Sequence, residues 1–408
     1  MRTNTLQLHN RSDRNELTFL CIVKAQRLVF RCFSECKLYA IILMFTVLFM
    51  QNISSQNSDK HLFKSIKLNI SLGPEYDSNI LKYSDTYIEK FKLGYDKGRF
   101  HTSTYDGIMF HGMIGTTGVF QIFKKRETEI NLNFTRREYL MNSIKTWNYF
   151  STSLGQEITR NADIELFYNF IPYFYVRHYP DDDWVEIFGN SPEVYQPYTF
   201  SKENFGMFVR YSFPGDTRIR FMVSRSNYFY NTHFTEYDSR NYSAGLRIYQ
   251  NFREKIKATL GLQFETSKTK DLDPLIYTLE YYPDASYKSG DLYVDFIRAL
   301  PQIKGYNHQL ELSCDYEKRI YTSSQYYKYD PIHSGRVDDK IDLQIEYRFK
   351  INKDISLTAY YLFIERFLNN SIDVNKQFLI DEKSYRQSQS GLKFSYDIPI
   401  KKKISKTH

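Results

Sequence analysis

Between Asp338 and Arg366 the side chains change character at nearly every step. Ile341, Leu343, Ile345, Tyr347 and Phe349 are apolar, and Asp342, Gln344, Glu346, Arg348 and Lys350 between them are polar. After the turn Ile351-Asn352-Lys353-Asp354 the pattern resumes at Ile355, Leu357, Ala359, Tyr361 and Phe363. A period of two sends successive side chains to opposite faces of a β-strand, whereas a helix needs a period near 3.6. Two such runs joined by a short turn predict an antiparallel hairpin.

The same unit recurs along the chain. Alternation predicts strands carrying Ile66 to Leu72, Gly107 to Phe123, Ile130 to Phe134, Phe150 to Leu154, Ile164 to Phe170, Phe205 to Phe213 and Ile219 to Val223. It continues with Tyr242 to Ile248, Ile256 to Phe264, Leu292 to Phe296 and Leu310 to Tyr316. With the hairpin and a last strand ending near Tyr396, the count is about fourteen, an even number. The connections alternate in length. Short turns such as Arg160-Asn161-Ala162-Asp163 and Pro214-Gly215-Asp216 follow even strands. Longer stretches follow odd ones: Asp77 to Tyr105, Tyr179 to Gln196, Thr266 to Ser286, Thr322 to Val337 and Phe367 to Ser384.

Composition separates a membrane barrel from a soluble sandwich. Mean hydropathy is −0.53, yet the chain holds 36 Tyr and 32 Phe against 11 Pro and 17 Gly. Aromatic residues favour strands and membrane–water interfaces, and a barrel that hides its apolar residues in alternate positions keeps a low average. Sorted loops fit short periplasmic turns and longer outer loops. The expected class is therefore all-β: an antiparallel up-and-down transmembrane β-barrel. It would lie in a bacterial outer membrane, with outer-membrane lipids around it. The net charge of +8 is scattered, so no nucleic-acid partner is expected.

The N-terminus is organised differently. Residues 38–50 are the one continuous apolar run, preceded by Arg27, Arg31 and Lys37 and followed by a cleavable-looking polar stretch to Ser55. This is the layout of a secretory signal peptide. Residues 1–36 make a long leader, which fits a misassigned start codon or an extended signal. The expected division is leader and signal in 1–55, a short segment in 56–65, the barrel in 66–396 and a basic tail in 397–408. Cys21, Cys32 and Cys36 fall in the leader, leaving Cys314 alone on an apolar face. No metal-ligand spacing joins Cys and His, and no cofactor is expected.

If apolar faces meet lipid, the alternate set lines the lumen. The pore-lining candidates are Arg210, Arg218, Arg220, Arg247, Lys257, Glu265, Glu311, Asp315, Asp342, Glu346 and Arg348. Such charges hydrate a channel and set its ion preference, or pair across strands and fill the interior. Asp181-Asp182-Asp183 is expected in a solvated outer loop, since the ligand spacing of a calcium loop is missing. Trp184, Tyr173, Tyr175 and Tyr179 are expected in an interfacial girdle. His111, His178, His233, His308 and His333 sit in no catalytic motif. His178, beside the aspartate run, is the best rim candidate for a base, and the expectation is a protein that is not an enzyme.

In the last strand, Gln389 is followed by Gly391, Phe394 and Tyr396. This spacing resembles the C-terminal insertion signal that barrel-assembly machinery reads in its clients, which implies that machinery as a partner. The chain departs from it by continuing past Tyr396. Ile66 to Tyr396 as a whole looks like bacterial outer-membrane barrels of about fourteen strands. Tyr76-Asp77-Ser78-Asn79-Ile80 and Gly335-Arg336-Val337-Asp338 resemble the barrel portion of surface-lipoprotein assembly modifiers. The helical-repeat domain of those modifiers has no counterpart between Gln56 and Ile66, so the resemblance does not carry their secretion activity. Fatty-acid transporters of similar strand count have an N-terminal plug, for which those residues leave no room. The expected function is a channel or passive transporter for small hydrophilic solutes. The alternative is a barrel acting through its outer loops in assembly, export or surface binding.

Overall fold

The computed structural model describes residues 63–401 except 96–97, 122–125, 182–184, 186–188, 190, 253–254 and 270–282. The signal-peptide region, the three leader cysteines, Asp182, Asp183, Trp184 and residues 402–408 lie outside the described residues. Fourteen strands follow one another around a closed barrel. They are β1 (Phe63–Asp77), β2 (Gly107–Phe120), β3 (Thr128–Tyr139), β4 (Trp147–Glu157), β5 (Ala162–Pro180), β6 (Tyr195–Ser212) and β7 (Thr217–Tyr230). Then come β8 (Ser239–Phe252), β9 (Ile256–Thr269), β10 (Tyr287–Ala299), β11 (Asn307–Tyr321), β12 (Arg336–Lys350), β13 (Ile355–Asn370) and β14 (Tyr385–Lys401). Among the described residues, the α-helices α1 (Asp85–Lys92) and α2 (Asp373–Lys383) lie in long connections.

The period-two reading fits the register. In the hairpin of β12 and β13, Leu343 pairs with Phe363, Ile345 with Tyr361 and Phe349 with Leu357, apolar against apolar. This face is outward, with Leu343 45 % and Tyr361 46 % exposed. The outward set continues through Leu260, Leu262, Leu292, Val294 and Leu312, all exposed. Cys314 shares that face, opposite Val294 and Leu343. Aromatics mark both margins: Tyr76, Phe110, Phe264 and Phe367 toward the long connections, Tyr211, Phe252 and Tyr396 toward the short turns. From Ile341 to Phe349, eight rises of about 3.4 Å tilted by about 40° give a belt roughly 21 Å tall.

The structure corrects three expectations. First, β14 does not stop at Tyr396. Asp397 pairs with Asn69 and Ile398 with Leu68, so the ladder runs on to Lys401 and the tail is shorter than 397–408. Strand β1 begins early enough to offer partners there. Second, the polar stretch after β1 is folded. Ser84 caps α1 by accepting from the Tyr87 N–H, with Asp85 in the first turn. Ile80, Leu81, Tyr83 and Tyr87 are buried together, against Phe91, Phe100 and Tyr105. Third, Tyr175 and Tyr179 are not in a lipid-facing girdle, although Tyr173 is 48 % exposed. The ladder between β5 and β6 shifts register between Ile171 and Phe174 and again between Tyr175 and Arg177. Each such bulge re-aims the side chains beyond it, and Tyr175 ends 3 % exposed.

Candidate functional site

The inner face carries the alternate polar set, and the register assembles it into rungs. Arg210 faces Arg220, which faces Arg247, across β6, β7 and β8. Asp315 faces Asp342, and Glu311 faces Glu346, across β11 and β12. Like charges directly opposed in a sheet repel, so both groups need compensation. Part comes from neighbours. Arg210 bonds Asp163 and lies 2.7 Å from Glu165. Lys340 donates to Asp342 at 2.7 Å, and Arg348 to Glu346 at 2.6 Å. Glu265 accepts from the Tyr287 hydroxyl at 2.6 Å and from Asn241 at 2.9 Å, which builds it into the wall. Arg218 and Lys257 are exposed near the short-turn end, Arg218 donating to Ser212 at 3.2 Å. The rungs hold seven of the eleven candidates; Arg348 joins them through Glu346, Glu265 is built into the wall, and Arg218 and Lys257 stand apart at the short-turn end.

Asp291, Tyr293 and Asp295 of β10 belong to the same inner face and were not among the candidates. They alternate with Leu292, Val294 and Phe296, so the period of two contains them. The C-terminal motif lies on the closing seam. Gln389 points inward and donates to Asp77 at 3.0 Å, as does Gln387 at 2.7 Å. Phe394 and Tyr396 face outward. A Cβ on Gly391 would come within 2.7 Å of the Tyr360 ring and 3.0 Å of Glu75, so only glycine leaves these side chains their places. The seam thus joins Asp77, from one of the two resembling motifs, to the residues of the other terminus.

Above the lumen, the long connections close over one another. Glu382 of α2 takes two hydrogen bonds from Arg99, at 2.7 and 2.9 Å. Arg177 of β5 donates to the backbone oxygens of Glu382 at 3.3 Å and Lys82 at 2.8 Å, and stacks 3.9 Å from the Tyr83 ring centre. Lys383 bonds the Tyr179 hydroxyl. Ser84 donates to the Asp381 oxygen at 2.5 Å. Strands β5 and β13 stand six places apart around a ring of fourteen, almost opposite. Contacts from Arg177 to Glu382 therefore cross the mouth. Fourteen strands about 4.8 Å apart and tilted by about 40° give a diameter on the order of 28 Å, which the cap has to bridge. Burial pushes the Tyr83 hydroxyl up and the Lys383 ammonium down from their usual values.

His178 does not pair with the aspartate run. Its ring stacks on His101 at 3.6 Å and bonds the Tyr175 hydroxyl at 2.7 Å. Asp181 bonds His233 instead, at 2.7 Å. Two single-residue bulges precede His178 and together restore its parity, so its surroundings are set by His101 from another connection and by Tyr175 rather than by the ladder. His333 bonds Asp330 at 2.7 Å and packs against Tyr321 at the end of β11 and Tyr237 from the connection between β7 and β8. Burial lowers the His333 pKa against the pull of Asp330. Burial opposes ionising Asp330, but the His333 ring and the Ser323 hydroxyl hold its carboxyl below the usual value. Both groups bind protons less readily when folded, so their stabilisation is complete above the unfolded values. It fades as pH falls below about 6.5 for the histidine and about 3.9 for the aspartate. Protection factors of the amides in residues 323–336, taken against the intrinsic exchange rate at each pH, will accordingly fall between pH 7.5 and pH 5, and less so in His333→Phe.

No protein family and no curated protein matches the sequence. Among solved structures, a bacterial polysaccharide outer membrane secretin superposes with a TM-score of 0.42 at 10% identity, over 84% of this chain and 100% of its own. The channel DcaP of Acinetobacter baumannii gives 0.40 at 10% identity, over 82% and 97%. An anion-selective porin from Comamonas acidovorans gives 0.38 at 8% identity, over 82% and 99%. The class that the coordinates define is a closed, antiparallel, fourteen-stranded barrel. At these scores the likenesses carry nothing about what this particular barrel does.

Proposed function

We propose that the protein is an outer-membrane channel for small hydrophilic solutes, with its long connections outside and narrowed there by the cap. The observation that carries this reading is the division of the wall. Leucines, isoleucines and valines between aromatic margins suit acyl chains, while the inner rungs of Arg210, Arg220, Arg247, Asp315 and Asp342 suit water and ions. Gln389, Gly391, Phe394 and Tyr396 serve as the insertion signal read by barrel-assembly machinery. Purified protein in planar bilayers will give stepwise conductance. Neutralising Arg220 together with Arg218 will shift the reversal potential toward cation preference, most of the shift coming from Arg220. Liposome swelling graded by solute size sets the cut-off. The folded cap favours a second reading, in which the loops act in assembly, export or surface binding. Bilayers that stay silent even after the cap is unlocked would select it.

A further inference from the structure

One stretch of the inner wall has charges of both signs left over. Arg220 has arginines on either side in the ladder and rests 4.6 Å from the Phe208 ring. Arg247 reaches across Gly261 to lie 4.5 Å from the Tyr293 ring. Gly261 is what permits this. A Cβ there would come within 3.0 Å of Arg247 Cγ and 3.3 Å of Tyr293 Cβ. Among the described residues neither guanidinium has an ion-pair partner, and neither does Asp291 or Asp315. All four line one hollow of about 120 Å³, with Gly261 and Tyr293 between the two signs. Tyr293 pairs with Asp315 on the next strand. In the ladder Arg247 stands two strands from Asp291 and three from Asp315, spacings of about 4.8 Å each, and its guanidinium closes part of that distance by reaching over Gly261 to the Tyr293 ring.

We propose that this hollow is a subsite for a small zwitterion bearing a carboxylate and an ammonium on adjacent carbons or nearly so, as an α-amino acid does. This deepens the channel reading and rests on it for the solute's route. The carboxylate is held by Arg220 and Arg247, whose N–H groups donate to it. Guanidinium forks suit a planar carboxylate, and charge-assisted bonds are the strong ones. The ammonium donates to Asp291 and Asp315. A zwitterion offsets the like-charge repulsion in both rungs at once, which a simple anion or cation does for only one. Arg247 and Asp315 make no ion pair, the guanidinium lying instead over the Tyr293 ring. The hollow has room for a solute of about six to eight heavy atoms.

The test uses the full-length protein in detergent micelles and three probes. L-alanine carries both charges, lactate replaces the ammonium by a hydroxyl, and alaninol replaces the carboxylate. Saturation-transfer NMR will show L-alanine binding at least about tenfold more tightly than either analogue. Arg247→Gln and Asp315→Asn will each abolish that preference. Gly261→Ala, which displaces the arginine without removing a charge, will weaken L-alanine binding severalfold. Barrel content by circular dichroism identifies any variant that fails to fold, and the analogue comparison on the unaltered protein stands without variants. Equal binding of the three probes, or none, overturns the subsite. Bilayer conductance is read separately: silent bilayers with selective L-alanine binding overturn the channel and leave the subsite standing.

Discussion

Gly73→Ala will leave the barrel unclosed. A Cβ at this position would lie 1.8 Å from the backbone oxygen of Leu392 and 2.8 Å from its carbonyl carbon. No rotamer relieves a clash with backbone, so either β1 or β14 has to move. The neighbouring pairs, Leu72 with Phe394 and Glu75 with Gly391, then lose their hydrogen bonds. Above them, toward the long connections, Asp77 loses Gln387 and Gln389. A cost on the order of 4 kcal/mol or more places the change among the severe single substitutions. Within a membrane the penalty is sharper, because an open edge exposes unpaired N–H and C=O groups to lipid. Heat-modifiable migration on SDS gels reads closure directly. The variant will migrate as unfolded chain without heating. Gly155→Ala, whose Cβ would meet nothing closer than 3.9 Å, will migrate as the compact barrel. A compact Gly73→Ala barrel would show that β14 can pair with β1 in another way.

Glu382→Ala will open the mouth without unfolding the wall. The Glu382 side chain is 3% exposed, and Arg99 and Arg177 beside it are 10% and 7% exposed. Removing one member of a buried ion pair strands the other, at about 3–5 kcal/mol. Here Arg99 loses the two hydrogen bonds it makes to the carboxylate and Arg177 loses a neighbouring negative charge, next to a Lys383 whose ammonium burial already disfavours. The strained cap can relieve itself by letting α1 and α2 swing into water, since the strands do not depend on these contacts. Single-channel conductance will rise severalfold, and trypsin will cut between Lys82 and Arg99 while the barrel stays intact. Glu382→Gln, which keeps the shape and part of the hydrogen bonding, will have a smaller effect. An unchanged conductance and an uncut cap would mean that the α1–α2 contact is held by its apolar cluster rather than by the charges.

Much of the fold was legible because a strand's period is local. Leu343 and Glu346 are sorted to opposite faces by backbone geometry alone, whatever the rest of the chain does. The long and short connections were legible for the same reason, as gaps between alternating runs. The alternate polar set followed from the same period, and the register brings seven of its members opposite one another. What escaped depends on departures from the period or on partners far away. Tyr175 and His178 are buried by each other and by His101 from a distant connection, which side-chain type along β5 does not announce. The helix α1 had a visible cap in Ser84 and Asp85, but Tyr87 within it and Tyr83 before it read as polar loop. The hollow required Gly261 of one strand to sit between Arg247 and Tyr293 of its neighbours.

Taken alone, the order of residues determined that this chain forms amphipathic strands, how many, and which face of each is wet, because those outcomes need only nearest neighbours. The tertiary structure decided which charges meet. Glu382 and Arg177 are 205 residues apart and come from nearly opposite walls. Their contact exists only once the sheet has closed and brought the two connections over one mouth, and no pattern within either segment encodes that distance.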